Sequence, residues 1–339
     1  MRNNVYLNTG KLELDFLNEL LKKYSIDDPS VVVGPGIGND AAVIDLGDTY
    51  LIAKTDPITF IAQDIGFYAV NINANDIACM GGVPRWFLTT ILLPENNTTQ
   101  QNVEDIFQQI TSACKKFDIT LCGGHTEVTY GIDRPIVIGQ MLGTVPKDGL
   151  VKPSNAQPGD DVFVTKGIAI EATSIIAREK ARELSSLFSS DFVERSQNFI
   201  RNPGISVLQD SKIALSTGPV HAMHDPTEGG IATGLYELAY AADVGLSIAL
   251  DKIPIIPEAK LLCDQYGIDI LGVIASGALL FVMPPIYSQA VLSAFERKNI
   301  IAANIGKVVS KEQGVKLKMG NEEMDLPIFP QDEIIKIFE

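Results

Sequence analysis

Residues 34–82 read GPGIGNDAAVIDLGDTYLIAKTDPITFIAQDIGFYAVNINANDIACMGG. A glycine-rich turn precedes Asp40, a second acid, Asp56, follows an apolar strand-like run, and a third, Asp76, sits inside a helix-like run. Apolar residues alternate through 41–46 and again through 50–53, with Gly47 and Asp48 between. This predicts a β-hairpin whose second strand ends at Thr55, Asp56 and Pro57. Residues 64–80 place Ile65, Ala69, Ile72 and Ile77 in a helical pattern, with Gly81 and Gly82 as a C-terminal stop. Asn71, Asn73, Asn75 and Asp76 are a costly load for a helix, because short polar side chains favour caps and turns. Carboxylates delivered this way suit Mg²⁺, a hard cation that takes oxygen ligands and shares them with phosphates. The plainer alternative is that each acid caps a helix or closes a turn.

Upstream, residues 11–24 carry Leu14, Leu17, Leu21 and Phe16, Leu20, Tyr24 on adjoining faces, the pattern of an amphipathic helix. Thr9 and Gly10 would open it, and Lys11 is placed either to reach a phosphate or to stay solvated. Downstream, 87–93 predicts a strand bounded by Pro94, 103–117 a helix, and 119–122 a short strand that stops at Gly123 and Gly124. Residues 136–145 form a further apolar run. Alternating strands and helices make this half α/β or α+β. The stretch 152–161, KPSNAQPGDD, is rich in proline and polar residues and marks the domain boundary, giving domains 1–152 and 153–339. Beyond it the pattern predicts a strand at 162–165, helices at 170–187 and 204–216, and a helix after the motif HAMHDPTEGG, 221–230. In that motif Asp225 reads as an acid at a helix start aimed at magnesium or phosphate, with Thr227 as the cap. A ladder-like apolar run follows at 278–283, and 184–204 carries no readable motif.

The chain has 339 residues, 46% hydrophobic and 20% charged, enough for two globular domains and against extended disorder. Its net charge of −15 argues against general nucleic-acid binding, which depends on lysine and arginine neutralising phosphates. No long uncharged apolar run predicts a membrane span, and the N-terminus lacks a signal-peptide pattern, so a cytoplasmic location is expected. Four scattered cysteines, with no CxxC pair, suggest reduced thiols.

Gly34, Gly36 and Gly38 could turn backbone amides toward an anion, yet neither a P-loop nor a dinucleotide fingerprint is present. His125 lies among two glycines, Thr126 and Glu127, a context that raises a site reading beside a structural one. His221 and His224, followed by Asp225, imitate a zinc site without its usual companions. Cys122 is either a nucleophile or a small hydrophobe, and no nucleophile elbow is found.

Taken together these pieces resemble the superfamily of ATP-dependent enzymes that holds aminoimidazole ribonucleotide synthetase, HypE-type hydrogenase-maturation proteins, selenophosphate synthetase and thiamine-monophosphate kinase. The resembling stretches are GKL at 10–12, GNDAAVI at 38–44, KTDP at 54–57, NANDIACMGGVP at 73–84, GGHTEVT at 123–129, GIAIEATSIIA at 167–177, HDPTEGGIA at 224–232 and SGALL at 276–280. They run in family order over nearly the whole chain. The resemblance implies a PurM-like α/β (α+β) fold of two domains. The first would bind ATP and Mg²⁺ and pair with a second copy, as a homodimer with a shared barrel. It implies Asp40, Asp56, Asp76 and Asp225 as magnesium ligands, with Asp76 and His125 in catalytic roles. Lys11, Gly123, Gly124, Thr126, Glu127 and Thr227 would bind the nucleotide. A small-molecule acceptor and a maturation-protein partner also follow from it.

Within the superfamily the resemblance is nearest to HypE-like, aminoimidazole-ribonucleotide-synthetase-related proteins. HypE proteins end in a cysteine-bearing tail, whereas this sequence ends Ile337, Phe338, Glu339. No cysteine precedes Cys79 to serve selenophosphate chemistry, and GGHTE stands where thiamine-monophosphate kinases carry GDT. Asn39 stands where many members have an acid. The expected function is Mg-ATP-dependent phosphorylation or activation of a small molecule. The alternative is a non-catalytic nucleotide-binding assembly or regulatory protein, and thiamine-monophosphate kinase ranks below both.

Overall fold

Strand and helix alternate as the apolar pattern requires, and two sheets result. The computed structural model of the protein describes residues 10, 12–59 and 61–338. The first half contains helix α1 (Leu14–Tyr24), strands β1 (Val31–Val33), β2 (Ala42–Asp45) and β3 (Thr49–Ile58), helix α2 (Ile65–Cys79) and strand β4 (Val83–Pro94). Helix α3 (Gln100–Lys116) and strands β5 (Thr120–Thr129) and β6 (Ile136–Pro146) complete it. The strands order as β1-β2-β3-β6-β4-β5, antiparallel except for β4 and β5, which are parallel and joined through α3.

Helices α2 and α3 cover one face of this sheet, where Val43, Ile52, Phe87, Ile91 and Met141 pack beneath Ile65, Ala69, Ile77 and Ile110. Helix α2 lies directly on β6 because that strand offers glycines there. A Cβ on Gly139 would stand 2.3 Å from Asn73 Nδ2, and one on Gly143 would stand 2.3 Å from Ile77 Cγ2.

Two strands run further than their sequence suggests. Strand β3 does not stop at residues 55–57, because Asp56 pairs with Gly139 and Pro57 with Ile138 of β6. Its other edge is free there, since β2 pairs only with Tyr50 to Ala53, so proline breaks no ladder bond. Strand β5 likewise continues from 122 through GGHTE to Thr129. Gly124 serves a close approach, not a turn: a Cβ there, at φ +152, would fall 2.0 Å from the Thr89 carbonyl oxygen.

The second half contains β7 (Asp161–Thr165), α4 (Ile170–Glu179), α5 (Ala181–Leu187), α6 (Ser190–Gln197), α7 (Leu208–Thr217), β8 (Ala222–His224), α8 (Gly230–Ala242) and β9 (Gly245–Ala249). It continues with α9 (Pro257–Gln265), β10 (Leu280–Met283), α10 (Ser288–Glu296), β11 (Ala302–Val309), β12 (Val315–Met319) and β13 (Glu322–Asp325). The sheet order is β13-β12-β9-β11-β7-β10-β8. Strands β7 and β10 are buried along their whole length, which fits their unbroken apolar runs VFV and LFVM.

The single helix expected over 170–187 breaks at Lys180 into α4 and α5. The helix expected from Gly204 starts at Leu208, Gly204 itself being held at φ +94. Helix α6 lies in the stretch without a readable motif, capped by Ser189, whose hydroxyl accepts from the Phe192 amide.

Helix α2 ties the two halves together. Asn75 donates to the Ile205 carbonyl and accepts from the Val207 amide, both at 2.9 Å, and the Ser211 hydroxyl donates to the Ala78 carbonyl at 2.8 Å. Asp64, just before α2, meets Arg178 Nη1 at 2.6 Å and Arg201 Nη2 at 2.8 Å. Asn71 and Asn73 bond back to the carbonyls of Phe67 and Ala69. The side-chain amide of Asn75 is thus satisfied at both ends across the seam, whereas Asn71 and Asn73 donate locally and leave their Oδ1 atoms buried without a partner among the described residues. Among the described residues no helix is long and apolar enough to cross a membrane.

Candidate functional site

A cavity of about 430 Å³ opens where the glycine-rich turn, β3, α2 and the segment after β8 meet. Asp40, Asp56, Asp76 and Asp225 all line it, each carried by a different one of these elements. The turn reaches α8 because Gly38 has no side chain: at φ +76, a Cβ there would lie 2.6 Å from the Glu237 carbonyl oxygen. Thr227 and Glu228 line the cavity from the start of α8, and Glu171 and Ser276 from further into the second half.

Two cations hold the acids in place. Lys54 Nζ lies 3.4 Å from Asp56 Oδ2 and 3.2 Å from Asp76 Oδ1. His224 Nδ1 lies 2.6 Å from Asp40 Oδ1, and its Nε2 lies 3.0 Å from Glu237 Oε2. Burial works against the charge on both cations, but the facing carboxylates outweigh it and hold both pKa values above the ordinary range. Burial, with Asp225, Asp56 and Asp40 nearby and only Lys54 opposing, pushes the Asp76 carboxyl well up. Asp225 is pushed up to about 7 by burial and by Asp40, against His224 and Lys54. Burial likewise lifts Glu171 to about 8, the Ser276 hydroxyl partly offsetting it.

The donors fit a hard cation. Asp40 Oδ2, Asp76 Oδ2 and Asp225 Oδ2 are buried oxygens without a hydrogen-bond partner among the described residues. A buried carboxylate oxygen left unmatched is costly, and oxygen donors of this kind are what Mg²⁺ takes.

Thr227 reaches the cavity but does not cap α8. Gly229, at φ +76, precedes the helix, and its amide donates to Asp332 Oδ2 at 2.7 Å. The Thr227 carbonyl accepts from the amides of Gly230 and Ala275. A tight glycine loop stands in place of a side-chain cap, and its second glycine is packed close: a Cβ on Gly230 would strike the Leu271 and Val273 carbonyl oxygens.

Gly123, Gly124, His125, Thr126 and Glu127 lie on β5 and do not line the cavity. Strand β5 is an outer edge of the first sheet. His125 Nε2 stands 3.1 Å from Glu127 Oε2, both side chains exposed, at 63% and 47%. Lys11 lies outside the described residues, while Leu12, Leu14 and Leu17 line the cavity. Asn39 donates to the Gly34 carbonyl at 3.2 Å and so braces the turn. His221 turns to Asp160, at 2.8 Å, and so does not form a pair with His224.

Sequence reasoning missed Lys54, Glu171 and the clamp on His224. Lys54 had a signal: it stands two residues before Asp56 in an extended run, where a period of two puts both on one face. Glu171 had a weaker one, a single charge inside the apolar run GIAIEATSIIA.

The family described as AIR synthase related protein matches the chain twice, its N-terminal domain over residues 38–145 and its C-terminal domain over 157–318. A protein of Methanocaldococcus jannaschii named for hydrogenase expression and formation is 27% identical over 331 residues, covering 94% of this chain and 95% of that one. The carbamoyl dehydratase HypE of Rhizobium leguminosarum bv. viciae is 28% identical over 287 residues, 81% of this chain and 78% of its own. A crystal structure of the hydrogenase maturation protein HypE in complex with ATP superimposes with a TM-score of 0.72, over 96% of this chain and 98% of that one, at 23% identity. At that identity the likeness is one of fold.

Proposed function

The chain belongs to the AIR synthase related proteins, and from that premise we propose that it binds Mg²⁺ and ATP in this cavity and phosphorylates or otherwise activates a small-molecule acceptor. One observation carries the reading: three unpartnered, buried carboxylate oxygens, from Asp40, Asp76 and Asp225, belong to one cavity. The HypE structure solved with ATP lends support from a protein of the same fold.

Asp40, Asp56, Asp76 and Asp225 would hold the metal. Bound there, Mg²⁺ would neutralise phosphate charge and keep the phosphoryl group in line, which is most of what phosphoryl transfer demands. The chain's own residues do the rest. Lys54 pairs with Asp56 and favours the ionised form of Asp76, and His224 fixes the orientation of Asp40. Thr227, which lines the cavity, would offer its hydroxyl to a phosphate. Leu14, Leu17, Ile58 and Ile61 give the same cavity an apolar wall.

The reading includes a homodimer and a maturation-protein partner. Strand β5 is an open parallel edge flanked by exposed Val128 and Tyr130, and a second copy pairing along it would cover both. In that arrangement residues 123–127 meet the other copy, where their nucleotide-binding role and that of His125 belong.

Calorimetric titration of Mg-ATP into wild type and Asp76→Asn tests the site, with ATP turnover followed over a panel of acceptors. Tight binding that falls by orders of magnitude in the folded variant is expected. Equal affinity in both proteins would remove Asp76 from the site, and no binding to wild type would overturn the proposal.

A further inference from the structure

The function proposed above leaves the Cys79 thiol without a role. Cys79 lies at the C-terminal end of α2, fully buried, and its Sγ–H donates to Asp225 Oδ1 at 3.7 Å. One ligand atom from each of Asp40, Cys79 and Asp225 lies within 4.8 Å of the other two. Asp40 and Asp225 are only 6% and 2% exposed, and each keeps one oxygen, Oδ2, without a partner. His224 holds the other oxygen of Asp40, so the free one has a fixed direction.

The sulfur in this set is a donor that a hard cation does not use. Mg²⁺ takes oxygen, whereas thiolate selects softer ions such as zinc or cadmium. In a tetrahedral zinc site, bond lengths of about 2.3 Å to sulfur and 2.1 Å to oxygen place the two ligand atoms roughly 3.6 Å apart. The Cys79 sulfur and Asp225 Oδ1, the oxygen that accepts its hydrogen bond, already stand at 3.7 Å.

We propose that Asp40, Cys79 and Asp225 form a three-ligand site for a thiophilic divalent cation, set where the two carboxylates meet the wall of the cavity. The inference rests on the same carboxylates being a cation site, and it makes Cys79 the residue that sets metal preference there. On binding, a metal–sulfur bond forms, the S–H bond breaks, and the proton leaves to solvent; no electrons are exchanged. A thiophilic ion so held occupies Asp40 and Asp225 and excludes Mg²⁺ from them.

The test uses the full chain carrying Cys122→Ser, which removes the exposed thiol. Cadmium chloride is titrated in while the ultraviolet cadmium–thiolate charge-transfer band is recorded. The band should rise to saturation at a single equivalent and reverse with chelator. Adding Cys79→Ala should abolish it, as should the near-isosteric Cys79→Ser, which guards against a folding defect. Asp225→Asn should weaken cadmium binding roughly tenfold or more, as loss of a ligand or its support does. Absence of the band in the folded parent, or its persistence in both Cys79 variants, overturns the proposal. Mg-ATP titration of the parent reports separately: its failure counts against the proposed function and leaves the cadmium result standing.

Discussion

His224 Nδ1 stands 2.6 Å from Asp40 Oδ1, joining β8 of the second half to the glycine-rich turn of the first. The imidazole is buried and carries Glu237 on its other nitrogen, so it acts as a cation between two acids. Removing one partner of such a pair leaves an uncompensated charge and costs about 3–5 kcal/mol. His224→Ala should therefore lower unfolding free energy by that order in urea titrations at neutral pH. A loss below about 1 kcal/mol would show that the pair contributes little. Because the folded pKa is raised above 6.5, the stabilisation is complete below that pH and is lost as pH climbs through the raised value.

Lys54 opposes the protonation of Asp76, which burial and three neighbouring acids favour. Lys54→Met should let Asp76 keep its proton to higher pH. The pH midpoint for binding Mn²⁺, used as a spectroscopic stand-in for Mg²⁺, should move up by about one unit or more. An unmoved midpoint in the folded variant would sever the link between Lys54 and the metal site.

Glu171 gives a pH effect of known sign. Its folded pKa of about 8 exceeds the ordinary 4.5, so between these values the folded state holds a proton that the unfolded state has released. Stability from this group is fully present below about pH 4.5 and declines as pH rises toward 8, by at most about 1.4 kcal/mol per unit. Glu171→Gln should flatten that decline, so the variant gains on wild type between pH 5 and pH 8 in denaturant midpoints. Parallel pH profiles for the two proteins would refute the assignment.

Gly38 and Gly47 both hold positive φ, at +76 and +93, but only Gly38 is crowded. Gly47→Ala should cost about 1 kcal/mol, the strain of a left-handed residue. Gly38→Ala adds a clash with the Glu237 carbonyl oxygen, and should cost more while also weakening Mn²⁺ binding through displaced Asp40. Equal losses for the two would mean that the turn yields without disturbing Asp40.

The sequence carried the acids well, because each follows a local pattern: a glycine turn for Asp40, a strand for Asp56, a helix for Asp76. What brings them together was less legible. The partners of His224 stand far off in the chain at Asp40 and thirteen residues on at Glu237, and no local period encodes either contact. The Gly123-Gly124 pair looked like a strand end, since glycine usually interrupts strands; here the missing side chain of Gly124 lets β5 press against Thr89. Helix α6 had a usable signal in Ser189 ahead of Phe192 and Val193, but its few apolar residues made the stretch look featureless. Asn75 stood out only as a costly polar residue inside a helix, and its amide is consumed by Ile205 and Val207 in the other half.

That last contact makes α2 a transmission rod. A helix is stiff over a few turns, and within five residues α2 carries the seam at Asn75, the cavity acid Asp76 and the thiol of Cys79. A small rotation of one half against the other is therefore delivered to the carboxylate spacing with little slack. At the proposed cation site, affinity would then double as a gauge of the angle between the halves, and Asn75→Ala, which touches nothing in the cavity, should change its calibration.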